Sequence, residues 1–251
     1  MAAEVVERVI AAGCRPRLLL ALLMALTLLH AQASQIAPNQ PQPAAVPTVT
    51  FTFDWPSIEL HRYIIWVDSS GHAAYQSWTA DPAPGQPSDG DPYMLKFAAS
   101  AAARDRIFAL ARQLKYFNGD FEYRKHRVAA TGDKTLAYAD PDKQYVTRYN
   151  WSENAGIGEL TALFQGMSTT IESGRRLERL RRFDRLGLDE EMKNLEHLAV
   201  EHSATELQLI APILQQLTED PAVLNIARQR ARHILQIAGV PPAAGPESSQ
   251  R

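Results

Sequence analysis

Two periods of apolar and polar residues divide this chain. From Thr48 to Asp54 (TVTFTFD), Val49, Phe51 and Phe53 fall on one side and threonines on the other. That two-residue period predicts a half-buried strand. Arg62–Asp68 (RYIIWVD) and Ala73–Trp78 are rich in β-branched and aromatic residues. Ser69-Ser70-Gly71-His72 between them suits a hairpin turn, because glycine supplies a positive φ. A loop rich in Pro, Gly and Asp spans Asp81–Pro92. Ser100–Lys115 then changes period. Ala103, Ile107, Leu110, Ala111 and Leu114 form a helical stripe, and Asn118-Gly119 stops it. Lys134–Ala139 and Gln144–Tyr149 flank Asp140-Pro141-Asp142-Lys143, a second hairpin. Val128–Thr131 is a further candidate strand.

From Asn154 onward the period is helical. Ile157, Leu160, Phe164, Met167 and Ile171 step by three and four, a seam that needs a partner. One long helix is expected to run to about Arg185, ended by Leu186-Gly187. Asp189 is expected to cap a second helix with Met192, Leu195 and Ala199 inward. Ser203-Ala204-Thr205-Glu206 reads as a capping box for a third, with Leu207, Ile210, Leu214 and Leu217 inward and Pro212 kinking or dividing it. Asp220-Pro221 is expected to open the last helix, with Val223, Ala227, Ala231, Ile234 and Ala238 inward and Gly239 at its end.

Strands segregated from helices predict an α+β fold. The expected architecture is an N-terminal antiparallel sheet with one packed helix over residues 48–152, followed by a bundle of about four helices over 153–239. Tyr63, Ile65, Val67, Asp68, Gly71 and Tyr75 form a Tyr-x-Ile-x-Val-Asp-x-x-Gly hairpin pattern before one helix. In this the chain resembles uncharacterised exported bacterial proteins over roughly a third of its length, a resemblance that brings no activity with it.

The first 33 residues read as an address. Leu18–Ala31 is apolar apart from Thr27 and His30, follows Arg15 and Arg17, and runs into Ala31-Gln32-Ala33. That is the layout of a secretory signal peptide. Its apolar run would span roughly 21 Å as a helix, short of the ~30 Å hydrocarbon core. Cleavage near Ser34 would place the protein in the periplasm or the medium. An uncleaved signal would instead anchor it to the membrane. Residues 34–47 (SQIAPNQPQPAAVP) carry four prolines and no charge and read as an extended linker. Residues 240–251 read as a disordered tail.

Composition narrows the function classes. The chain has formal net charge −2, and the 33-residue leader carries a net +1, so the remainder stands at −3. Such a balance does not suit a general nucleic-acid binder. The only cysteine, Cys14, lies in the leader. Disulfides, thiolate catalysis and cysteine-ligated metals are therefore not expected of the mature chain.

Candidate chemistry is sparse. His197 and Glu201 share a helix face, but His197 and His202 are five apart, about 140° around the helix, and do not make a zinc pair. Asp81, Asp89 and Asp91 lack the ligand spacing of an EF-hand and read as turn residues. No G-x-S-x-G elbow, P-loop or dinucleotide fingerprint occurs, and no motif implies a metal or a cofactor. Asn150-Trp151-Ser152 is formally a glycosylation acceptor.

The most unusual stretch is arginine-rich. Arg175, Arg176, Arg179, Arg181, Arg182 and Arg185 fall within eleven positions. They could meet an anionic surface or an acidic partner, or be solvated and paired with Asp189-Glu190-Glu191. Trp66 and Trp78 are the aromatic candidates for a contact surface, should the second face of the sheet be open. Coverage of that face by the C-terminal helices is the expectation. Together these features favour an exported, non-catalytic binding module of the cell envelope. Arg175, Arg176, Arg179, Arg182, Trp66 and Trp78 are its candidate contacts, and an envelope or extracellular protein or an anionic surface its partner. The alternative is an exported hydrolase with an acidic or His/Glu site that the spacing does not locate.

Overall fold

The computed structural model describes residues 46–79 and 92–241. The leader, nearly all of the Pro-rich linker, the Asp81–Asp91 loop and the C-terminal tail from residue 242 lie outside them. The fold is α+β. Six strands form one antiparallel sheet: β1 Thr48–Asp54, β2 Arg62–Asp68, β3 His72–Trp78, β4 Tyr93–Ala98, β5 Asp133–Ala139 and β6 Gln144–Tyr149. Their order across the sheet is β4-β3-β2-β1-β5-β6. The first strand is therefore central. A meander β1-β2-β3-β4 fills one side, and the β5-β6 hairpin returns to the other.

Strand β4 was not anticipated, and Val128–Thr131 forms no strand. The alternation in YMLKFA is present, with Tyr93, Leu95 and Phe97 turned to the core side. An edge strand is half-exposed on both faces, so its pattern is shallow, and Met, Lys and Ala carry little β preference.

One face of the sheet is packed. Val49, Phe51, Ile65, Val67, Tyr75 and Leu136 are fully buried there. Helix α1 (Ala101–Gln113) lays Ile107, Leu110 and Ala111 on this face, and its N-cap Ser100 accepts from the Ala103 N–H. Beside it runs α2 (Ala155–Phe183), capped by Asn154, whose side chain accepts from the Gly156 and Ile157 N–H groups. Ile157, Leu160, Phe164, Met167 and Ile171 join the sheet core, and Phe164 stacks on Phe51 at 5.3 Å. Nearly two turns further on, Leu177 belongs to a second core with Leu188, Met192, Leu195, Leu214, Leu217, Ala231 and Ile234. This core is closed by α3 (Arg185–Val200), α4 (Ala211–Glu219) and α5 (Asn225–Ile237).

Three helix boundaries differ from the expectation. The break after α2 falls at Asp184, and Leu186-Gly187 and Asp189 lie inside α3. The Asp184 carboxylate accepts from the Leu186 and Gly187 N–H groups at 3.1 and 2.9 Å. An N-cap carboxylate ends one helix and starts the next, and it outweighs the glycine stop signal. Gly187 serves close approach instead, since a Cβ there would stand 2.5 Å from Asp184 Oδ2.

The Ser203–Glu206 capping box does not form. Glu206 adopts φ +58 and accepts from the N–H and hydroxyl of Ser100, at 2.7 and 2.6 Å. It thus supports the start of α1, a far partner winning over the local one. A 3₁₀ turn, Leu207–Ile210, precedes α4, and Pro212 in the first turn of α4 divides the helices as its missing N–H requires. Asp220 caps a turn rather than a helix, accepting from the Ala222 N–H at 2.9 Å, and α5 starts only at Asn225. Gly239 at φ +67 follows α5 as expected.

The segment 203–210 crosses α2 over small residues. A Cβ on Gly166 would meet the Thr205 side chain at 2.8 Å, and one on Gly174 would meet Ile210 at 2.4 Å. Thr170, between them on the same face, donates to the Thr205 carbonyl. Gly158 on the same helix has open space. Replacing Gly174 with Val is therefore expected to cost about 1–3 kcal/mol by overpacking. Gly158→Ala should gain roughly 0.5–1 kcal/mol from helix propensity. Urea denaturation of the two variants checks both signs; equal effects would contradict the close crossing.

Candidate functional site

The helices all pack on one face of the sheet or on one another, and no described element lies over the other face. The expectation that the C-terminal helices cover it is corrected. Those helices build their own core around the far end of α2, so only α1 and the first half of α2 remain to cover sheet.

The strand register makes the open face a grid. Its middle row reads Lys96, Ala74, Trp66, Thr50, Ala137, Val146 from β4 to β6. The next reads Met94, Gln76, Ile64, Thr52, Thr135, Arg148. A shorter row at the sheet's end reads Trp78, Arg62, Asp54, Asp133. Trp66 is 37% exposed, Met94 59% and Val146 52%. Trp78 is partly covered by the Arg62 guanidinium, 5.1 Å above its ring. The centre of the face is thus apolar and β-branched, and its formal charges sit at the rim. Trp66 and Trp78 both belong to it. Ile64 shares this face with Trp66, as its alternation with Tyr63, Ile65 and Val67 implies; Val146 was missed although the same alternation in β6 would have found it, and Met94 was missed with the whole of β4. At the charged end, Asp54, Arg62, Glu122, Arg124, Asp133 and Arg148 line a depression of about 620 Å³.

The arginine run is divided by its partners. Arg176 makes a bidentate pair with Glu191 at 3.0 and 2.9 Å, tying α2 to α3. Arg181 pairs with Asp220 at 3.2 Å and with Gln216. Arg175 lies 3.5 Å from Glu172 and caps the Tyr93 ring at 4.6 Å. Arg179, Arg182 and Arg185 are exposed. Between them at the α2–α3 corner stand Phe183 and Leu186, 81% and 80% exposed.

The most tightly built polar cluster lies between α2 and β3. Buried Glu172 accepts from Tyr75 Oη at 2.9 Å and Ser77 Oγ at 2.8 Å, and Tyr75 also meets Ser168 Oγ at 3.1 Å. Burial, reinforced by the Glu172 charge, pushes the Tyr75 phenol well above its ordinary value, and burial does the same to Tyr63. Each partner here is spent on another, so the cluster fastens helix to sheet. Lys134 is likewise saturated, donating to the carbonyls of Thr131, Gly132 and Asn150 at 2.8–3.0 Å. Burial lowers its pKa.

Other candidate groups are accounted for locally. Ser70 Oγ and Asp68 Oδ2 meet the same His72 nitrogen, Nδ1, at 2.8 and 3.2 Å. A serine relay needs the two ring nitrogens on different partners, so this trio is a hairpin turn. His197 and Glu201 do share a face, 3.5 Å apart and exposed. No group of three metal-capable side chains converges among the described residues. The Asn150 side chain accepts from the Thr131 N–H at 2.7 Å and donates to the Ala129 carbonyl at 2.9 Å, so the amide of the formal glycosylation acceptor is occupied. The Asp81–Asp91 candidates lie outside the described residues.

Burial also pushes Tyr138 and Tyr149 up to about 12, the Asp140 hydrogen bond adding to the first. Raised phenol pKa values mean that the folded chain holds these protons more tightly than the unfolded chain. The corresponding stability is fully present below the ordinary tyrosine value of 10.0 and is lost as pH rises through the folded values. Absorbance at 295 nm should therefore rise in two stages, the second coinciding with cooperative loss of circular dichroism. One shallow titration of all eight tyrosines in a chain that stays folded would contradict this burial.

Compared with protein-family models and with curated proteins, the chain matches none.

Proposed function

We propose that this chain is an exported, non-catalytic binding module whose working surface is the open face of its sheet, and that it engages another component of the cell envelope or its surroundings. One observation carries this: Trp66, Met94 and Val146 are exposed across a fully paired sheet that no described element covers. Large apolar side chains exposed on one side of a sheet, with alanines and threonine methyls between them, suit a contact surface. The polar clusters favour binding over turnover, because their groups are spent on fastening helices, turns and ion pairs. Export rests on the leader pattern of residues 1–33.

A photo-crosslinking residue placed at Met94 or Val146, in the envelope of the native host, should form discrete adducts. The same residue at exposed positions on the helical side, such as Glu190 or Arg232, should not. Equal labelling from both sides, or none from the face, would remove the proposal.

A second contact is favoured by the α2–α3 corner, where Phe183 and Leu186 protrude among Arg179, Arg182 and Arg185. Apolar tips ringed by guanidinium groups suit an anionic lipid surface, each arginine contributing about 1 kcal/mol near it. Glu178 and Asp184 offset part of this charge. Vesicles containing phosphatidylglycerol should retain the protein at low salt, and phosphatidylcholine vesicles should not. Arg179→Glu with Arg182→Glu should abolish retention; unchanged retention would exclude the corner.

A further inference from the structure

The proposed binding role of the open face leaves its partner unnamed, and the inference here rests on that role. From the pattern of side chains on the grid we infer that the partner is a second copy of this chain, joined face to face about a two-fold axis running between β1 and β2, parallel to the strands.

The six-strand order places that axis at the middle of the sheet, between its third and fourth strands. A two-fold there exchanges β2 with β1, β3 with β5 and β4 with β6. In an isologous contact, if one residue meets another, the second meets the first as well. Applied to the register, Arg62 of one copy faces Asp54 of the other, and Asp54 faces Arg62. Trp66 faces Thr50, Ile64 faces Thr52, and Ala74 faces Ala137. Trp66 and Ile64 thus meet smaller residues, as interdigitating sheet faces require, and the two alanines leave the indole room. Lys96 faces Val146 and Arg148 faces Met94 at the outer strands. There a long aliphatic stem can lie on an apolar side chain while its charged head stays in water.

The other in-plane axis, across the strands, fits less well. It stacks Ile64 on Trp66, two large side chains, and although it sets Arg62 against Asp68 it leaves Asp54 against Thr48. Both axes give Arg62 a carboxylate, so the seating of Trp66 and Ile64 on threonines, not charge, selects the first.

The area is sufficient. Five inter-strand gaps of ~4.8 Å and strands of about 20 Å give a footprint of roughly 500 Å² per copy. Two copies together reach about 1,000 Å², the lower bound for a specific contact and the range of reversible association. Asp54, Arg62 and their rim neighbours Glu122, Arg124 and Asp133 would set register and partner choice more than affinity.

The test uses the protein recovered from the exported fraction of a host expressing the full sequence. Sedimentation equilibrium should give a mass that doubles with rising concentration. Trp66→Glu should stay at the monomer mass with unchanged circular dichroism. Arg62→Asp alone and Asp54→Arg alone should each be monomeric, because each sets like charges opposite one another twice. An equimolar mixture of the two should recover the doubled mass, since each acid then faces a base across the axis. A monomer mass for the unaltered chain at every concentration overturns the inference. So does a mixture that stays monomeric while both components are folded. If the unaltered chain is monomeric and Met94 still crosslinks to another protein in the envelope, the second copy is wrong and the binding role stands. If neither association nor adducts occur, both fall.

Discussion

Helix α2 carries both cores of this protein, and the rest of the structure depends on how its length is shared. Its first five turns press Ile157, Leu160, Phe164, Met167 and Ile171 onto the sheet. Its later part gives Leu177 to the helical core. Where one core passes into the other, buried Glu172 accepts from Tyr75 and Ser77 of β3. A buried carboxylate is tolerable only when its lone pairs are satisfied, and stripping a hydroxyl donor from such a group typically costs about 1–3 kcal/mol. The carboxylate therefore fixes which turn of α2 stands over which strand, a register that apolar packing alone would leave freer to slide.

That division of labour explains the open face. A sheet six strands wide has two faces to cover, and the C-terminal helices could in principle have crossed to the second. They are held at the far end of α2 instead. The Arg176–Glu191 pair fastens α3 there, and the Arg181–Asp220 pair fastens the end of α4. Glycines at 166 and 174 let segment 203–210 lie against the helix. Glu206 then reaches the start of α1. Each contact draws the helical part toward one layer, and the outward residues of all six strands are left without a cover among the described residues.

The arginine run shows how charge in sequence becomes something else in space. Six arginines in eleven positions read as one strip. Folding gives three of them partners from three different elements and leaves three around an exposed phenylalanine. The unusual feature is then no longer the strip but the corner, and its apolar half was not visible as exposed until α2 and α3 turned away from each other at Asp184.

The sequence by itself determined the elements and their inward faces. Alternation in TVTFTFD and RYIIWVD, the helical stripe from Ala103 to Leu114 and the seam from Ile157 to Ile171 are local signals, set by backbone geometry and side-chain period. They survive because tertiary packing agrees with them. What failed were signals with a stronger rival elsewhere. Glu206 left its capping box for Ser100, Gly187 yielded to the Asp184 cap, and β4, with Met, Lys and Ala among its six residues, carried too little β preference to announce itself. The candidate site was half legible: Trp66 and Trp78 could be named, but not whether their face was open. A period of two states which residues share a face, and nothing in it states what covers that face. Only the three-dimensional arrangement decided this, because the cover depends on contacts between α2 and residues 15 to 39 positions further along the chain.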